Sequence, residues 1–251
     1  HDQPGVWTIY HALDGRFMDA FQAYQALRYI DDYIPHIPVR VADAKDQGLY
    51  TLSTTNWQPY TWSVNNVALA ENLQTALAYW QAGREGKAFE LWKSNLVESM
   101  FYGASPGNFQ QLSFYDAERG ELYRDFADPI GVASRTLFEG LYGILPDALA
   151  DTLTIQPGLP ESWEYSTLES PNIDFDFKLH NNVEHYTIRP KFQQKMNLKL
   201  VLKARKTGIL SLSVNGIATP WKMVENAVGA AKIEIAPAKA DHYDIQIRWA
   251  D

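Results

Sequence analysis

A change of hydrophobic period near Asp151 constrains this chain more than any other feature. Before it, apolar residues recur at three- and four-residue steps; after it, they recur at every second residue. The first spacing keeps one stripe of a helix apolar and the second keeps one face of a strand apolar. The chain therefore reads as a helical part, 1–150, followed by a sheet part, 151–251. In FMDAFQAYQALRYIDDYI, the positions Ala20, Tyr24, Leu27, Ile30 and Ile34 predict one helix, stopped by Pro35 and Pro38. A second, from about Ser63 to Ala82, carries Leu69, Leu73, Ala76, Leu77 and Trp80, with Gly83 suited to its end. A third carries Ala88, Leu91, Trp92, Leu96 and Met100 and closes at Gly103; a fourth, from about Ile130, carries Leu137, Phe138, Leu141 and Leu145. Short connections pair such helices as antiparallel hairpins.

Beyond Asp151, Ile173, Phe175, Phe177 and Leu179 alternate with Asp174, Asp176 and Lys178. Leu198, Leu200 and Leu202 repeat the pattern, then Leu210, Leu212 and Val214, and finally Tyr243, Ile245, Ile247 and Trp249. Asn215-Gly216 supplies the dipeptide that suits a tight hairpin turn. Short alternating strands with turns between them predict an antiparallel β-sandwich, joined to the helical part through PGLPESW from Pro157.

Composition narrows the partners. At 251 residues the chain can bury a core, as one large domain or two ordinary ones. The net charge of -8 and the lack of a basic stripe argue against nucleic acid or an anionic membrane surface. No apolar run approaches the roughly 20 residues that cross a bilayer. With no cysteine, disulfides and thiolate chemistry are excluded, while the compartment stays open. The six histidines are scattered without metal-ligand spacing, and no phosphate loop, nucleophile elbow or zinc motif occurs. The expectation is no metal and no cofactor. The opening HDQPGVW lacks an initiator Met and a signal peptide, so the chain is read as the interior of a longer precursor, or as a processed or cut product.

Two stretches can carry chemistry. TTNWQPYTWSVNN, from Thr54, crowds Trp57, Gln58, Tyr60, Trp62, Asn65 and Asn66 just ahead of a helix. Flat aromatic faces stack on the C–H faces of sugars, and amides donate to and accept from their hydroxyls. The same aromatics can equally plug the end of a helical bundle. Glu71, on the helix that follows, either faces a lumen or pairs locally. The second stretch, Ser105 to Arg135, is far longer than the about 2–8 residues that usually join bundle helices. It holds Asp116, Glu118, Glu121, Asp125 and Asp128 among Arg119, Arg124, Tyr115 and Tyr123. Glycoside hydrolysis needs one carboxylic acid for the leaving oxygen and a second carboxylate as base or nucleophile, and such a segment can supply one of them. An ion-pair network that pins the segment is the competing reading. Arg124 and Arg135 either hold a substrate group or partner nearby acids, and Glu139 reads as structural.

Three stretches together carry a resemblance: TTNWQPYTWSVNNVALAENLQTALAYWQAGR, GELYRDFADPIGVASRTLFEGLYGILPDAL and LTIQPGLPESW. They resemble an uncharacterised family of gut-bacterial proteins of the six-hairpin glycosidase type and, more distantly, the closing part of α-L-rhamnosidases and related inverting enzymes. The resemblance covers most of residues 54 to 165 and implies part of an (α/α)6 toroid followed by an antiparallel β-sandwich. It implies a general base on a loop shortly before the last barrel helices, where Glu121 in GELYRDF is the nearest equivalent. The Trp-Glu dipeptide usual there is missing, so Glu118 or Asp125 can serve instead. The partner acid of such enzymes lies earlier in the barrel, outside this chain.

The leading expectation is thus an inverting glycoside hydrolase acting on a plant or host polysaccharide or oligosaccharide. Glu121 (or Glu118 or Asp125) would be catalytic, and the aromatic loop, Glu71 and Arg124 would contact sugar. A polysaccharide lyase of toroid-plus-sandwich build is the alternative enzyme, and a non-catalytic carbohydrate-binding or structural module the alternative without turnover. Six hairpins need two helices each, and about four or five are legible here, so the exposed apolar face calls for the missing N-terminal half of the same protein or a homodimer mate. A periplasmic or secreted address follows from the resemblance.

Overall fold

A computed structural model describes residues 5–39, 47–54, 67–102, 114–115, 122–123 and 128–250. The chain divides into two compact units, His1–Leu141 and Tyr142–Asp251. It is a mixed helix and sheet protein with several antiparallel sheets, and five α-helices lie among the described residues.

In the first unit, α1 is Val6–Asp14, which the hydrophobic pattern did not single out, and α2 is Ala20–Tyr33. Asp19 starts α2 because its carboxylate accepts from the backbone N–H of Phe21 and Gln22, while the Gln22 side chain accepts from the Asp19 N–H. That reciprocal cap satisfies donors a helix end leaves open. Two short strands follow, β1 His36–Pro38 and β2 Tyr50–Leu52, paired antiparallel. The next strand, β3 Val67–Ala68, takes residues the period assigned to a helix starting at about Ser63; α3 begins only at Leu69 and runs to Gln81. The reason is pairing: β3 lies against β4 Phe114–Tyr115, which pairs with β5 Leu122–Tyr123.

α3 is the central helix of this unit and packs against α1, α4 (Glu85–Leu96) and α5 (Asp128–Arg135). Its stripe of Leu69, Leu73, Ala76, Leu77 and Trp80 is buried, as the period predicts. Buried Asn72 ties α3 to β2: its Oδ1 accepts from the Leu52 N–H at 2.6 Å and its Nδ2 donates to the Leu52 carbonyl at 3.0 Å. Asp31 of α2 accepts from Tyr79 at 2.8 Å and from Arg84 at 2.5 Å, binding α2 to the α3–α4 turn.

The fourth predicted helix is shorter than its pattern. α5 ends at Arg135 and gives way to a π-helical turn, Thr136–Leu141; a second such turn, Val97–Tyr102, follows α4. Thr136 turns its hydroxyl back onto the Val132 and Ala133 carbonyls, competing with the regular ladder. Gly140 then lies against the Trp80 ring, where a Cβ would come within 2.2 Å. Leu145 belongs to a strand instead, because Gly143 adopts a left-handed φ of 63° hard against the Gln156 carbonyl and ends the helical run.

The second unit starts with β6 Ile144–Asp147 and β7 Thr152–Ile155, so the change of period at Asp151 falls inside it. Its other strands are β8 Tyr165–Glu169, β9 Ile173–His180, β10 Val183–Pro190, β11 Asn197–Lys203, β12 Ile209–Val214, β13 Ile217–Ala218, β14 Trp221–Met223, β15 Lys232–Ile235 and β16 Tyr243–Trp249. They form a six-stranded sheet, β13-β12-β16-β10-β9-β8, and a five-stranded sheet, β14-β15-β11-β7-β6. The pairs are antiparallel except β7 with β11, which is parallel. Ile173, Phe175 and Phe177 are buried, as are Leu198, Leu200 and Leu202, and Tyr243, Ile245, Ile247 and Trp249. Leu210 departs from its expected inward place because the β12–β16 register shifts between Ile209 and Ser211, leaving it exposed. Asn215 and Gly216 both take positive φ and turn β12 into β13, the turn the dipeptide predicts.

Candidate functional site

The three-stranded sheet β3-β4-β5 sets Val67–Ala68, which follow the aromatic stretch in sequence, against Phe114–Tyr115 and Leu122–Tyr123 of the acid-bearing stretch. Val67, the residue after the aromatic loop, pairs with Tyr115, and Tyr115 pairs with Leu122. Residues 116–121, with Glu118 and Glu121, join β4 to β5, and α3 starts directly from β3. Trp57, Gln58, Tyr60, Trp62, Asn65, Asn66, Glu118, Glu121, Arg124 and Asp125 themselves lie outside the described residues. Of the expected site residues Glu71 alone is described, and it stands in the first turn of α3, beside this sheet.

Glu71 is half-buried. Burial first, and the Asp128 carboxylate second, push its carboxyl up from an ordinary 4.5 to about 7, and no described cation or donor pulls it back. Charge taken out of water without a partner disfavours the ionised form, and a nearby like charge does so again. Asp128 opens α5; the packing around its carboxyl raises it as well, although the residue as a whole is exposed. Tyr10 of α1 completes the group: burial, then the charge of Glu71, raises its hydroxyl well above the usual tyrosine range.

Farther along α3 the same interface is fully paired. Arg135 donates to Asp14 through Nη1 at 3.0 Å and Nη2 at 2.7 Å, and to Glu139 through Nε at 3.0 Å. Gln74, one turn from Glu71, accepts from Arg135 at 3.4 Å, and Gln81 donates to Asp14 at 2.9 Å. The Arg135 hydrogen bonds hold the Asp14 carboxyl below its ordinary value, and Asp14 and Glu139 raise the guanidinium in turn. Of the two readings open for Arg135, the structure shows the ion pair, and Glu139 takes the structural part assigned to it. The sequence pattern missed Tyr10 and Asp14, whose signal was their four-residue spacing on a short helix.

Among the described residues no group of three or more His, Cys, Asp or Glu is placed to hold a metal ion, and no helix is long and apolar enough to cross a membrane. Glu71 and Asp128 are thus two carboxyls both held above their ordinary values, with burial as the largest cause of each shift.

No family model and no curated protein matches the sequence. Among solved structures the chain is similar to an α-L-rhamnosidase from Dictyoglumus thermophilum, with a TM-score of 0.50 and 7% identity over 73% of this chain and 21% of that one. The likeness is one of fold. A GH127 β-L-arabinofuranosidase from Geobacillus stearothermophilus T6 also aligns, at 10% identity over 73% of this chain and 32% of that one, but its TM-score of 0.30 carries no argument. The chain spans about a fifth of the rhamnosidase's length.

Proposed function

We propose that this chain is part of an inverting glycoside hydrolase, with its sugar site at the β3-β4-β5 end of α3. The observation that carries the reading is the pairing of β3, β4 and β5. It sets the residues that follow the aromatic, amide-rich stretch in sequence against two strands of the acid-bearing segment, at the end of α3 that carries half-buried Glu71. Aromatic faces bind the sugar, and a carboxylate pair does the hydrolytic work. In this reading Glu121, or Glu118 or Asp125 in its place, activates water, and Trp57, Gln58, Tyr60, Trp62, Asn65, Asn66 and Arg124 contact the substrate. The helical unit is a section of an (α/α)6 toroid and the second unit a β-sandwich, a reading that the fold likeness to the rhamnosidase supports.

The toroid reading also has a partner. Trp7, Phe17, Phe21 and Tyr33, on and between α1 and α2, are more than half exposed. Another part of the same protein, or a second copy of the chain, covers this apolar surface. Replacing Glu121 with Gln tests the enzyme directly: hydrolysis of a glycan by the full-length protein should stop while glycan binding persists. Unchanged rates in that variant would remove Glu121 from the mechanism.

A further inference from the structure

We propose that the outward face of α2 is a self-association surface, on which a second copy of this chain packs its own α2 antiparallel about Leu27. The proposal is independent of the glycosidase reading, and it selects a second copy over another part of the same protein as the cover of this surface. Ala23, Leu27 and Ile30 form the stripe that α2 buries. At about 3.6 residues per turn, the opposite stripe runs from Phe21 and Gln22 through Gln25 and Tyr29 to Asp32 and Tyr33. Phe21 is 60% exposed and Tyr33 71%, and Gln22, Gln25 and Asp32 are exposed with them. Large rings left in water at both ends of one helix face mark a contact surface.

The symmetry of the stripe identifies the occupant. A two-fold axis normal to the helix at Leu27 places each residue level with the one equally far along on the other side of Leu27, and it swaps the two flanks of the face. Phe21 and Tyr33 are equidistant from Leu27 and lie on opposite flanks, so each meets the other in the partner helix. The axis exchanges Gln22 with Asp32 and Gln25 with Tyr29 in the same way. Each exchange is chemically matched. Phe21 meets a flat platform, because Tyr29 and Tyr33 stack with ring centroids 5.1 Å apart and planes 24° from parallel. Gln22 accepts the Asp19 N–H through Oε1 at 3.0 Å, which leaves its Nε2 to donate across the axis to the Asp32 carboxylate. Asp32 pairs with Arg28 of its own helix at 3.4 Å, both more than half exposed, and keeps acceptor capacity for that donor. Arg28 falls opposite Ala26, whose single methyl leaves room for it. No like charges meet across this axis, and an unrelated partner would require no such agreement between the two halves of one stripe.

With 14 residues α2 is about 21 Å long, so the contact is of the small, concentration-dependent class. Light scattering of the full-length protein from about 10 µM to about 500 µM should show the mass rising from one chain to two. Cysteine cross-linking reads the register. Residues 1–251 contain no cysteine, and the unsubstituted protein serves as the blank. Phe21→Cys and Tyr33→Cys are prepared separately; both positions are exposed, so the fold should tolerate either change. Mixed and oxidised, the two variants should cross-link about fivefold or more above either alone, because position 21 lies about 18 Å along the helix from its own copy and a disulfide spans at most ~7 Å between Cα atoms. A protein that keeps the mass of one chain across the range overturns the proposal. So does either variant linking with itself as well as in the mixture, or a mixture linked no better than the blank. Thiols at both positions shielded from alkylation in a protein of one-chain mass would assign the surface to another part of the same protein, and overturn it too.

Discussion

Glu71→Gln should make the protein more stable in alkali while changing it far less in acid. The native state holds the Glu71 proton up to about pH 7, whereas the unfolded chain releases it near the ordinary 4.5. The stability that goes with the protonated form is therefore complete below 4.5, declines as pH rises through that window, and is gone above about 7. At about 1.4 kcal/mol per pH unit the ionised carboxyl takes about 3 kcal/mol from the fold, and its half-buried setting brings the expected figure to about 2–3 kcal/mol. Glutamine has the shape of the protonated acid and no charge to desolvate. Urea unfolding of both proteins should show the variant ahead by about 2–3 kcal/mol at pH ~8 and by about 1 kcal/mol or less at pH ~5. A gap that is the same at both pH values, or that favours the wild type in alkali, refutes the reasoning.

Arg135→Ala strips Asp14 and Glu139 of their shared partner; at roughly one-third exposure the loss should be about 1–2 kcal/mol by denaturant unfolding. The same variant should lose less stability on acidification, because Asp14's depressed carboxyl contributes above its ordinary 3.8 and that contribution disappears with Arg135. Gly143→Ala places a methyl within 1.8 Å of the Gln156 carbonyl at a left-handed φ, so thermal unfolding should show a loss of about 3 kcal/mol or more, or no folded second unit. In the second unit the buried Glu184 carboxylate receives Arg205, Tyr186 and Trp249. Glu184→Gln leaves the Arg205 charge uncompensated and should cost about 2–4 kcal/mol by denaturant unfolding.

The strands were the most legible part of this chain. Ile173, Phe175 and Phe177, or Tyr243 through Trp249, must alternate to bury one face, and that demand is written residue by residue. Leu210 escaped because a register shift is a property of two strands together and leaves no mark in either alone. The helical stripes of α2 and α3 were likewise visible, yet their ends were set by distant pieces: β4 holds Val67–Ala68 out of α3, and the Gln156 carbonyl closes on Gly143. Within the site, the loop composition advertised aromatic and acidic chemistry. The unusual state of Glu71 did not show, because it depends on Asp128, which is 57 residues away in sequence and adjacent only after α3 and α5 pack. The buried Glu184 was invisible for the same reason: Tyr186 lies two residues along its own strand, but Arg205 and Trp249 arrive from a distant bend and from β16.

The central claim is hydrolysis of a glycosidic bond by this site, and proton NMR of the products formed by the full-length protein tests it most directly. The account predicts release of a neutral reducing sugar with the anomeric configuration inverted, and no release by the Glu121→Gln variant. An unsaturated sugar product would show β-elimination instead, and turnover that survives Glu121→Gln, Glu118→Gln and Asp125→Asn together would contradict the assignment of the site.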